Sequence, residues 1–264
     1  MLTGRRRPWR PQITRAECYR GWVFFALYVF LFPWLMGWVQ RSYQGEFPVA
    51  EANVVYYLII ASLTFLVFWS FLRTGFRLLL DWLPENLFAF VTGLVGAEVL
   101  SFLVGLIPLP VQNPNLMSYP EQYYFAPTAT VFILVVLMPL VEEPLFRGLL
   151  FGSVRNYSRP LGYVLSVILY SFYCAVQFVY AFGTLDLRYL LLMIQYAPMA
   201  LALAWGYDRG GSFWSAIARQ MALVDVVGQV HHGMFRVDLH VCDRGCDCLD
   251  GLVEQAALGE DLFV

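Results

Sequence analysis

Long apolar stretches, broken by short polar or proline-bearing connectors, recur along most of the chain, and each is long enough for a membrane-spanning helix of about 20 residues. They fall at roughly 19–39, 53–72, 86–109, 126–152, 160–182, 188–207 and 212–228. The pattern predicts an all-α polytopic bundle of about seven spans. A barrel is excluded, because its strands would be about 10 residues long and would alternate in polarity. The stretch 108–127 carries Pro108, Pro110, Pro114, Pro120 and several tyrosines beside Glu121, and is expected to be an interfacial loop.

Composition agrees with the pattern. At 59% hydrophobic and 14% charged, a chain of 264 residues is too apolar for a soluble domain and belongs in a lipid membrane. The first run follows Arg5, Arg6, Arg7, Arg10, Arg15 and Arg20, like the charged region of a signal peptide. It is long and aromatic with no small-residue cleavage site after it, so a retained anchor is expected. Cytoplasmic loops hold an excess of basic residues, and here all 17 are arginines. Alternating along the spans, one side collects the six N-terminal arginines with Arg73, Arg77, Arg155, Arg159 and Arg209, whereas the other collects Arg41 and Arg188. The N-terminus is therefore expected in the cytoplasm. No repeat links the two halves, which argues against a secondary transporter. Nothing suggests a nucleic-acid partner.

Four regions follow: a basic N-terminus over 1–18, N-terminal spans over 19–125, a core over 126–228, and a polar tail over 229–264. The tail holds His231, His232, His240, Cys242, Cys246 and Cys248, but the Cys spacing does not match the paired pattern of a structural zinc site. The abrupt change after about Asp225 suggests a shifted reading frame or a replaced segment.

Chemistry concentrates in the fourth apolar run, where hydrocarbon over 131–140 gives way to Glu142, Glu143 and Arg147. A charge at mid-bilayer costs about 2.5–3.5 kcal/mol, so these three must pair, face a cavity or lie near the interface. Glu143 and Arg147 are four residues apart and can pair, which leaves Glu142, about 100° around the helix, for another partner. A carboxylate held in a partly dry site suits a general base acting on water. The alternative is a buried ion pair that only fixes helix packing. Glu98 and Arg219 are further charges that could line the same site, or, for Arg219, reach the interface by snorkelling.

The segment Glu142-Glu143-Pro144-Leu145-Phe146-Arg147-Gly148 resembles the EExxxR motif of the CPBP family, which includes CAAX prenyl proteases and bacteriocin-processing or immunity proteins. The turn over 153–159 and Gly211-Ser212-Phe213-Trp214 resemble the family's later features. The resemblance implies an intramembrane endopeptidase fold, peptide or prenylated-protein substrates, contact with membrane lipid, and a bacterial plasma membrane. It also implies a site of Glu142, Glu143, Arg147, Cys174 and Gln220, with Cys174 and Gln220 standing where the family's two histidine motifs fall and Val224 where an asparagine is expected. Gln177 is the first-motif position in an alternative register. Glutamine is a poor transition-metal ligand and no acid or base, so zinc would rest on Glu142, Glu143 and Cys174, an unusual set. Cys174 read alone is a small buried hydrophobe. A non-catalytic binding or bacteriocin self-immunity protein on the same fold is the alternative that these substitutions raise.

Overall fold

The computed structural model describes residues 12–44, 47–179 and 185–223, without the side chains of Met117 and of residues 219–223. The described residues are helices and connectors, with no strand among them. The helices are α1 (Arg15–Ser42), α2 (Val49–Val67), α3 (Trp69–Asp81), α4 (Leu83–Gly105), α5 (Asn115–Phe125), α6 (Pro127–Arg155), α7 (Arg159–Val176), α8 (Leu187–Gly210) and α9 (Phe213–Leu223). Among the described residues, α1, α2, α4, α6, α7 and α8 are long and apolar enough to cross a membrane. The chain is an integral membrane protein. The seventh predicted run is occupied by the 11 described residues of α9; the polar tail, Val224 and the first arginines lie outside the described residues.

Two predicted elements are redrawn. The second span stops at Phe68, whose backbone (φ −112°, ψ 25°) leaves the helical region and lets α3 set off separately. α3 buries Phe71, Leu72, Gly75 and Leu78 and exposes Arg73 and Arg77, a one-sided spacing that suits a helix lying along the bundle. The predicted interfacial loop contains the short α5, with Pro120 inside it.

The helix ends are closed by side chains. Thr14 caps α1, and Glu17 reaches back to the Thr14 N–H at 3.1 Å, a reciprocal capping box. The other Glu17 oxygen accepts the Phe71 N–H at 2.9 Å, so one carboxylate, 1% exposed, serves the first turns of both α1 and α3. At the opposite end of the sequence, Gly211 takes a left-handed φ of 74°, and Ser212 Oγ and Trp214 Nε1 donate to the carbonyls of Gly75 (2.8 Å) and Leu72 (3.1 Å). These bonds dock α9 on α3. Asp208, its side chain 2% exposed, accepts from Arg155 Nε at 2.8 Å, Arg159 Nε at 2.9 Å and the Tyr163 hydroxyl at 3.0 Å, tying α6, α7 and α8 together at one end.

α6 is the inner helix: 61% of its apolar window is buried, against 11–33% for the other five candidate spans. It packs against α1, α2, α7 and α9. Its turns widen to π-helix over Phe132–Leu137 and Pro144–Phe151, and α1 does the same over Leu27–Leu31. Pro139 lacks the N–H that the Val135 carbonyl in the first of these stretches would accept, and Pro33 leaves the Val29 carbonyl of α1 in the same position.

Gly148 lets α6 approach α3. A Cβ there would meet the Phe71 ring at 2.6 and 2.8 Å, and that ring is itself stacked on Phe213 with centroids 4.6 Å apart, so it has little freedom to yield. Gly148→Ala is expected to destabilise the protein by about 1–3 kcal/mol through overpacking. A thermal midpoint in detergent equal to wild type would contradict this account of the α3–α6 contact.

Candidate active site

The site begins with the two carboxylates of α6. Both are buried, Glu142 at 4% exposure and Glu143 at 0%. Glu143 lies 3.0 Å from Arg147 Nη1, one helical turn on, and Arg147 is also fully buried. The pair neutralises two of the three charges within the span.

Glu142 is turned toward α7. The Tyr170 hydroxyl donates to Glu142 Oε2 at 3.0 Å, and the Arg147 guanidinium carbon sits 4.2 Å from the centre of the Tyr170 ring. A continuous polar chain therefore runs Glu143, Arg147, Tyr170, Glu142, with the aromatic ring serving as the middle contact of the cation. Phe146 packs edge-on against Tyr170 with centroids 5.0 Å apart and lies 5.3 Å from Tyr173, fixing both rings on α7. The Glu142 carboxylate also acts electrostatically on Tyr28 of α1, Tyr57 of α2, and Tyr173 and Cys174 of α7. The described wall of the site is phenolic, and of the two positions where the resemblance expects imidazoles, Cys174 stands at one on α7.

The structure thus joins Glu142, Glu143 and Arg147 in one buried network and packs Cys174 against the same core. Gln220 lies on α9, which packs against α6, and the side chains of Gln220 and Arg219 lie outside the described residues. Two expected neighbours are elsewhere. Gln177 is exposed and bonds the Cys174 carbonyl at the end of its own helix, and Glu98 is on the exposed face of α4. Among the described residues no three His, Cys, Asp or Glu side chains converge as a metal site would require. With Glu143 held by Arg147, the described donors do not fit zinc.

The tyrosines were missed as site residues by sequence reasoning, although they carried a signal. Tyrosine in a membrane helix belongs near the interfaces, where its hydroxyl meets water. Tyr28, Tyr57 and Tyr170 fall well inside their spans, and Tyr173 follows Tyr170 on α7.

Comparison with known families matches residues 124–223 to the model described as type II CAAX prenyl endopeptidase Rce1-like. That segment is Rce1-like. It contains α6 to α9 and hence both glutamates, Arg147, Tyr170, Tyr173, Cys174 and Gln220. Tyr28 and Tyr57 come from outside it, on helices that wrap the Rce1-like segment. No curated protein and no solved structure matches the chain.

Proposed function

We propose that the chain is an intramembrane endopeptidase of the CAAX type, in which Glu142 activates the water that hydrolyses a peptide bond of a peptide or prenylated-protein substrate. The observation that carries this reading is the buried Glu142 carboxylate, held by one phenol within an Rce1-like segment. In the step proposed, Glu142 takes a proton from water, the new C–O bond forms, and the carbonyl electrons move onto oxygen. The tetrahedral centre then expels the amine as the C–N bond breaks, and the proton passes from Glu142 to the leaving nitrogen. Tyr170 orients the carboxylate, and the Glu143–Arg147 pair sets the field in which charge develops.

A bacterial plasma membrane with the N-terminus in the cytoplasm is part of the proposal. Arg15, Arg20, Arg73, Arg77, Arg155, Arg159 and Arg209 gather at one end of the spans, against Arg41 and Arg188 at the other. Glu142 lies 13 residues, or about 20 Å of helix, from Arg155, so the substrate bond must reach well into the bilayer.

The test is incubation of the full chain, reconstituted in liposomes, with a farnesylated CAAX-terminated peptide, followed by mass spectrometry of the products. Cleavage at one bond that disappears in Glu142→Gln supports the reading. Binding of the peptide without cleavage instead favours a non-catalytic binding or immunity protein, the reading that the cysteine and glutamine at the histidine positions keep open.

A further inference from the structure

Hydrolysis at Glu142 requires a donor for the oxygen on which negative charge develops, and the Tyr170 proton is already committed to the carboxylate. Of the positions where the resemblance would place such donors, Cys174 is a weak one, Val224 is none, and Gln220 carries an amide donor on α9, its side chain outside the described residues. Among the described residues, a donor is found on another wall of the site.

Tyr28 is placed to supply it. Its side chain is 2% exposed, and its hydroxyl has no hydrogen-bond partner among the described residues. The Tyr173 hydroxyl is its nearest polar neighbour and interacts with it, without forming a regular hydrogen bond. The Tyr28 and Tyr173 rings are 5.6 Å apart, and Tyr173 rests on Phe146, the residue before Arg147. The Glu142 charge also reaches Tyr28. It stands on the π-helical turn Leu27–Leu31 of α1, and local π-turns are frequent where a helix aims a functional side chain. A buried phenol without a regular protein acceptor is costly to the fold unless something else accepts from it.

We propose that Tyr28, outside the Rce1-like segment, is a further catalytic residue, its phenol donating a hydrogen bond to the carbonyl oxygen of the scissile bond as that oxygen becomes an oxyanion. The inference rests on the endopeptidase reading above. The phenol keeps its proton throughout: water supplies the proton that Glu142 carries to the amine, and Tyr28 lends only the hydrogen bond. The N-terminal helix is then part of the catalytic site, and residues 124–223 alone lack the Tyr28 phenol.

Tyr28→Phe separates this role from a structural one. Removing a hydroxyl without a regular protein hydrogen bond costs the fold little, so the thermal midpoint is expected to be close to wild type or higher. In the full chain in liposomes, kcat for the farnesylated peptide is expected to fall roughly 100-fold with KM within about twofold, as for loss of one oxyanion donor. Binding of a peptide aldehyde of the same sequence is expected to weaken about tenfold. Unchanged kcat in Tyr28→Phe, with Glu142→Gln inactive, overturns the inference and leaves the endopeptidase reading standing. A lowered midpoint together with raised KM also overturns it, by showing a packing role. If wild type cleaves nothing, the endopeptidase reading falls, and the aldehyde decides for Tyr28: weaker binding to Tyr28→Phe supports its contact with a carbonyl oxygen, and equal affinity removes it.

Discussion

Replacing Arg147 by alanine is expected to strip the protein from the membrane fraction, before any question of activity arises. Arg147 and Glu143 are both fully buried and 3.0 Å apart, and the guanidinium also covers the Tyr170 ring at 4.2 Å. Removing one partner of a buried pair leaves the other charge desolvated, at about 3–5 kcal/mol. That is a large part of the roughly 5–15 kcal/mol by which a folded protein is stable. Arg147→Ala should accumulate poorly and melt well below wild type. The double change Glu143→Gln/Arg147→Met leaves no buried charge and fills the same space, so it should recover most of the abundance. Wild-type accumulation and melting of the single variant would show that the pair does not hold the core of α6.

Glu142→Gln is expected to do the opposite, leaving the fold in place and removing the chemistry. The amide has the shape of the carboxylate and keeps an oxygen for the Tyr170 hydroxyl, which now stands 3.0 Å from Oε2. Membrane abundance should match wild type, and the midpoint should shift by no more than about 1 kcal/mol of stability. A glutamine cannot accept the proton of water, so cleavage should fall by about 10²–10⁴-fold, the range a general base supplies. Retained cleavage in this variant would move the base elsewhere.

Helix count and the position of the charged segment could be read from the chain because both depend on composition over long windows. Seven runs were expected. Six described helices are long enough to span, and α9 occupies the place of the seventh. The sequence misplaced the boundary at Phe68, since the apolar run continues into Phe71 and Leu72 while the backbone turns. No periodicity marks such a bend when both sides are hydrophobic. The Glu143–Arg147 pair followed from a four-residue spacing on one helix. The partner of Glu142 did not, because Tyr170 stands 28 residues away on another helix and only packing brings it near. Tyr28 is further still, on α1, and Glu98, expected as a further charge that could line the site, is on an exposed face. Helical spacing orders the residues of one span, whereas the contacts between spans are set by small residues such as Gly148 and by end clamps such as Asp208.

The measurement that bears most directly on the central claim is the initial rate of farnesylated-peptide cleavage in liposomes, wild type beside Glu142→Gln at equal inserted protein. The account predicts measurable cleavage by wild type and at least about 100-fold less by the variant. Equal rates in the two, or peptide bound and left whole by both, would contradict it.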